Sequence, residues 1–232
     1  QSNLAGLMAA AGDVNADGFD DILLSQTFAD TNHASLVYGR GDFPATVNLG
    51  RNWFDGANGS LFAGNFLASL SGAGDVNHDG ADDLLLGMTL PSPMGITNAG
   101  AAYLVYGSRG GLPALQTLSL ASMNGTNGCA FGGDQLSIGN GIHVSGAGDF
   151  NGDGVDDALV SFSTASANGI LNVGKTALIF GRYPILAVDP FAAHMSGGTA
   201  VAIHGAFLGN GSDITGVTLC GIPAAIVGQS TT

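Results

Sequence analysis

The sequence predicts an all-β protein, most of it three four-stranded, propeller-type blades (a partial β-propeller). Three observations carry this expectation. Charged residues make up only 10% of the 232 residues, all eighteen acids are Asp, and there are 39 Gly. A chain without Glu and with a single Lys lacks the usual surface helix formers, whereas Gly, Asn and Ser favour tight turns between strands. An acidic motif recurs three times, and each copy leads into the same order of short apolar runs.

The copies are "AGDVNADGFDDILLS" at Ala11–Ser25, "GAGDVNHDGADDLLLG" at Gly72–Gly87 and "GAGDFNGDGVDDALVS" at Gly146–Ser161. Their first aspartates are Asp13, Asp75 and Asp149, so the periods are 62 and 74 residues. After each motif comes a second apolar stretch, "ASLVYGRGDFP", "AAYLVYGSRGGLP" or "TALIFGRYP", and then "ATVNLG", "LQTLSL" or "ILAV". In the second unit the predicted strands lie near Phe66–Ser71, Leu84–Met88, Ala101–Tyr106 and Leu115–Leu120. Upstream, "DGANGSLFAG" at Asp55–Gly64 matches "NGTNGCAFGG" at Asn124–Gly133, while the first unit lacks this leading part. Four short strands per repeat, split by Gly, Asn and Pro, are the pattern of propeller blades. The blades are expected at about 1–54, 55–123 and 124–190. Three blades do not close a ring, which typically takes about four to eight, so the sequence reads as a piece of a larger protein or as blades packed in another way.

The acidic motif reads as a ligand set. With Asp13 as position 1, side-chain oxygens fall at positions 1, 3, 5 and 9: Asp13, Asn15, Asp17 and Asp21. Gly18 at position 6 permits a sharp turn that brings in the carbonyl of Phe19. The second set is Asp75, Asn77, Asp79, the carbonyl of Ala81, and Asp83; the third is Asp149, Asn151, Asp153, the carbonyl of Val155, and Asp157. Hard oxygen donors without His or Cys suit Ca²⁺ rather than Zn²⁺, and three Ca²⁺ sites are expected. An EF-hand needs a bidentate acid at position 12; here that position is Leu24, Leu86 or Val160. The competing reading is a set of Asx-rich turns without a metal; it has to account for Gly at position 6 and Asp at position 9 in all three copies. Asp20, Asp82 and Asp156, at position 8, are expected to point away from the ion.

These residues resemble FG-GAP repeats, the blades of the integrin α-chain propeller. The paired elements are Phe131-Gly132 with Gly146-Ala147-Gly148, and Phe62-Ala63-Gly64 with Gly72-Ala73-Gly74. The resemblance covers about residues 1–186 and departs in blade number, in the first unit's missing start and in a longer 131–149 segment. It implies a structural role for Ca²⁺, an extracellular or cell-surface location, and adhesion or recognition of a protein or glycan ligand. From Gly197 the chain is similar to the start of an IPT/TIG domain, an immunoglobulin-like sandwich, expected over 191–232.

Other features set limits. The net charge of −13 argues against nucleic-acid binding, which needs a basic stripe. No apolar run reaches the roughly 18 residues of a membrane-spanning helix. Catalytic signatures such as G-x-S-x-G and H-E-x-x-H are absent, and no enzyme activity is expected. The alternative is an accessory, non-catalytic region of a secreted enzyme of phospholipase or polysaccharide lyase type. "RGD" at Arg40–Asp42 falls in a turn that repeats with Arg109 and Arg182, which reads as a structural turn. Asn58, Asn124 and Asn210 begin glycosylation sequons. Cys129 and Cys220 leave both two thiols and a disulfide open, and the five His are isolated in sequence.

Overall fold

The structure is a computed structural model. It describes residues 2–28, 31–63, 67–89, 91–92, 97–119, 121–133, 142–163, 165, 173–182, 185–189, 202–205, 217–219 and 222–224. The chain divides into two units, 1–76 with 80–181, and 77–79 with 182–232. The expected Ig-like segment lies largely outside the described residues.

The first unit is built of three sheets. The first orders β1 (Ser2–Gly12), β2 (Asp21–Phe28), β3 (Thr31–Val37) and β4 (Gly59–Ala63) as an antiparallel meander. The second orders β5 (Leu67–Gly74), β6 (Asp83–Met88), β7 (Ala101–Val105) and β9 (Gly128–Gly132) in the same way. β8 (Leu115–Thr117) lies between β7 and β9 in sequence but pairs parallel with β4. The third sheet holds β10 (Ile142–Gly148), β11 (Asp157–Phe162) and β12 (Lys175–Ile179). None of these sheets closes into a barrel.

The strand positions follow the sequence pattern, but two sheet assignments differ from it. The Phe-containing strands open a sequence repeat, yet β4 joins the first sheet and β9 ends the second. The strand expected to end the second unit, Leu115–Leu120, extends the first sheet as β8. Apolar periodicity reports that a segment is a strand and not which strand it pairs with. In the second unit, "ILAV" begins β13 (Ile185–Asp189), which pairs with β14 (Ala202–Gly205); β15 (Val217–Leu219) pairs with β16 (Ile222–Ala224).

The first strand of each sheet is packed beside the next: β1 beside β5, and β5 beside β10. One core cluster joins the first two sheets, with Leu23, Leu36 and Phe62 against Leu84, Leu86 and Tyr103. A second joins Leu85, Ala102 and Leu104 to Ile142, Ala158 and Val160. These side chains are no more than 2% exposed, so burial between sheets is the main apolar stabilisation. A third cluster gathers Leu24, Phe28, Val37 and Phe54 with Leu49 and Trp53 on the other side of the first sheet.

The Gly-Ala-Gly element has a geometric cause. Its second glycine sits at a register shift in each first strand, with positive φ at Gly12 (76°), Gly74 (72°) and Gly148 (60°). That is a bulge needing the left-handed region. Its first glycine admits the neighbouring backbone. A Cβ at Gly72 would lie 2.8 Å from the Ala10 carbonyl oxygen, and one at Gly146 would lie 2.8 Å from that of Gly72. In the first sheet the equivalent residue is Ala10, which is exposed.

Candidate metal centre

Each acidic loop follows its bulge and is wound around its own side chains. In the first loop, Asp17 N–H donates to Asp13 Oδ1 at 3.0 Å and to Asn15 Oδ1 at 3.1 Å, so the oxygens of positions 1 and 3 meet at one amide. Gly18 N–H donates to Asp13 Oδ2 at 2.8 Å, and Phe19 N–H donates to Asp17 Oδ1 at 3.0 Å. The third loop repeats this arrangement. Asp153 N–H donates to Asp149 Oδ1 and Asn151 Oδ1 at 2.9 and 2.8 Å, Gly154 N–H to Asp149 Oδ2 at 2.9 Å, and Val155 N–H to Asp153 Oδ1 at 2.9 Å. In the second loop, Gly80 N–H donates to Asp75 Oδ2 at 2.9 Å. Asp79 N–H donates to Asn77 Oδ1 at 3.0 Å within the 77–79 segment. Position 6 has positive φ in every copy: Gly18 93°, Gly80 87° and Gly154 87°.

The position-9 aspartates are buried clasps. Asp21 is 1% exposed, and Asp83 and Asp157 are 0% exposed. Asp21 Oδ2 accepts from Val14 N–H at 2.9 Å and Oδ1 from Gly39 N–H at 2.8 Å, tying the loop to the end of β3. Asp83 does the same with Val76 and Gly107, and Asp157 with Phe150 and Gly181. Burial pushes Asp21 up to about 6; its two amide partners oppose this, and the nearby Asp17 and Asp13 carboxylates add to it.

Sequence reasoning missed the role of position 8. Asp82 reaches the preceding sheet, where its Oδ2 accepts from Asp13 N–H at 2.7 Å. Asp156 Oδ2 accepts from Asp75 N–H at 3.1 Å. The bulge glycines make room: a Cβ at Gly12 would collide with the Asp82 carboxylate, and one at Gly74 with that of Asp156. Burial raises the pKa of Asp82 above the usual carboxylate range. The signal in the sequence was the first Asp of the Asp82-Asp83 and Asp156-Asp157 pairs and the bulge glycine of the preceding repeat, but it needs the sheet-to-sheet contact to be read.

The repeated turn after the third strand also bridges sheets. Ser108 N–H donates to the Val14 carbonyl and Gly110 N–H to that of Asn15, both at 3.0 Å. Arg109 from this turn lies against Gly80, so a Cβ there would sit 2.6 Å from its Nη2. In the first sheet, Arg40 donates to Asn58 Oδ1 at 2.6 Å, pairs with Asp42 at 3.3 Å and lies over the Phe43 ring. The sequons Asn58 and Asn124 sit in equivalent Asx turns: Asn124 Oδ1 accepts from Thr126 and Asn127 N–H, as Asp55 Oδ1 does from Ala57 and Asn58. Cys129 is a free thiol 3.6 Å from the Tyr106 hydroxyl, while Cys220 and Asn210 lie outside the described residues.

The structure thus brings positions 1, 3 and 5 of the first and third loops around the loop amides and turns position 9 to the loop base. Among the described residues, no group of three or more His, Cys, Asp or Glu side chains stands ready as a metal cage. The loop oxygens of positions 1 and 3 accept from the loop's own N–H groups. The donor set is nonetheless all hard oxygen, with three carboxylates in each ligand set, which fits a divalent cation in chemistry. No helix among the described residues is long and apolar enough to cross a membrane. In comparison with known proteins, no family model matches the chain and no curated protein matches it.

Proposed function

We propose that the chain is a calcium-binding, extracellular or cell-surface β-propeller module of FG-GAP type that serves adhesion or recognition of a protein or glycan. The ion is structural. The observation that carries this reading is the identical winding of the first and third loops, in which the oxygens of positions 1 and 3 meet at the position-5 amide. Asp13, Asn15 and Asp17, with Asp21 and the Phe19 carbonyl, would hold one ion; Asp75, Asn77, Asp79, Asp83 and the Ala81 carbonyl a second; Asp149, Asn151, Asp153, Asp157 and the Val155 carbonyl a third. A bound cation would offset like-charge repulsion among carboxylates that the chain's few Lys and Arg do not balance. The module has no catalytic role of its own; as the second reading, it accompanies the catalytic domain of a secreted enzyme.

The test is thermal unfolding and calorimetric titration with Ca²⁺. Extracellular calcium modules bind at roughly 10⁻⁴–10⁻³ M. Each site then adds about 0.4 kcal/mol near its Kd and about 2.7 kcal/mol at a hundredfold excess. The expected result is a melting temperature that rises with Ca²⁺ and falls with chelator, and that loses part of this response in Asp17→Ala and Asp153→Ala. Superimposable melting curves in Ca²⁺ and in EDTA refute the reading.

A further inference from the structure

We propose that a second copy of this chain docks head-to-tail on the first, with Asp20 of one copy seated on Gly148 and Asp149 of the other. The chain builds this joint twice within itself. At both internal joints a position-8 aspartate of the following sheet accepts from the position-1 N–H of the preceding sheet, beside a bulge glycine. Two halves of the same joint stand open. On the third sheet nothing among the described residues lies within 4 Å of a Cβ built at Gly148, where Gly12 and Gly74 meet a carboxylate. On the first sheet Asp20 is exposed, where Asp82 and Asp156 are half-buried.

The apolar residues around these halves agree. Phe150 is 71% exposed, whereas its equivalents Val14 and Val76 are 0% and 4% exposed. Leu159 and Leu178 are half-buried, where Leu23 and Leu36 are fully buried. On the opposite face, Met8 is 76% and Ile22 47% exposed, whereas Leu84 and Ala158, the equivalents of Ile22, are at 0%. The outer part of that face is covered by Leu49 and Trp53, as Leu118 covers the first internal joint. The two open halves therefore carry the two sides of one interface, each with apolar surface that the internal copies bury. A heterologous contact of this kind forms a ring when its rotation closes. Two chains supply six sheets, within the range of closed propellers; this closure rests on the propeller reading, whereas the docking itself does not. One residue opposes a tight fit: Ala10 stands where Gly72 and Gly146 admit the neighbouring backbone.

The test is sedimentation of the full chain at tens of micromolar, in calcium buffer, with circular dichroism to confirm the fold of each variant. A species of twice the chain mass is expected. Met8→Glu and Phe150→Glu, both at solvent-facing positions, should each lose it. An equimolar mixture of the two variants should regain it, because one intact Met8 face then meets one intact Phe150 face. Ala10→Gly should shift the equilibrium further towards the pair. A chain that remains monomeric, a pair that survives both Glu variants, or variants that fail to complement each overturns the proposal. None of these readouts measures ion binding, so failure here is distinct from failure of the calcium titration.

Discussion

Asp20, Asp82 and Asp156 occupy the same position in three loops, yet only the latter two reach a neighbouring sheet. This makes the chain its own control. Asp82→Ala strands the Asp13 N–H and should cost about 1–3 kcal/mol, the range for a donor left without its acceptor. Asp20→Ala, compared at a concentration low enough for single chains, should stay within about 0.5 kcal/mol. Urea unfolding of both variants checks the pair. Asp21 supplies a pH dependence. Its folded pKa of about 6 stands above the ordinary value of 3.8, so the folded state keeps a proton that the unfolded chain releases. In chelator, the Asp21 contribution to stability should therefore decline as pH rises from about 4 to about 6, and Asp21→Asn should flatten that slope. The sequence showed which residues face the loop interior, because Gly at position 6 and alternate oxygens set the winding. It did not show that position 9 ties the loop to the next hairpin, since Gly39, Gly107 and Gly181 lie eighteen or twenty-four residues further on.

At the scale of elements, the strands were legible and their partners were not. "LLLGM" and "AAYLV" announce themselves by apolar runs between turns, and they pair as adjacent antiparallel strands. "SLFA" carries the same local signal but joins the sheet before it, because Phe62 finds its burial between the first and second sheets. Pairing of this sort is decided by surface that is distant in sequence. Phe62→Ala should remove that wedge and cost about 3–5 kcal/mol, the usual range for a buried aromatic ring. Far-UV dichroism during denaturant unfolding measures the loss. Truncation of the partly exposed Phe131 should cost less, as it packs at the edge of its cluster.

For the whole molecule, charge is concentrated rather than spread. Twelve of the eighteen carboxylates lie in the three acidic loops, and the net charge is −13. Self-repulsion of this kind weakens as salt shortens the screening length to about 8 Å at 0.15 M. Raising NaCl from low ionic strength should therefore increase the melting temperature of the calcium-free chain, and should do so less once Ca²⁺ is present; scanning calorimetry in both states makes the comparison. The three-sheet plan also carries a phase offset, since β4 and β9 begin a sequence period but join the sheet before it. Each period thus hands its first strand backwards, like overlapping roof tiles. Duplicating or deleting one whole period would leave every interior sheet with its borrowed strand, so copy number could drift during evolution without leaving an interior sheet a strand short.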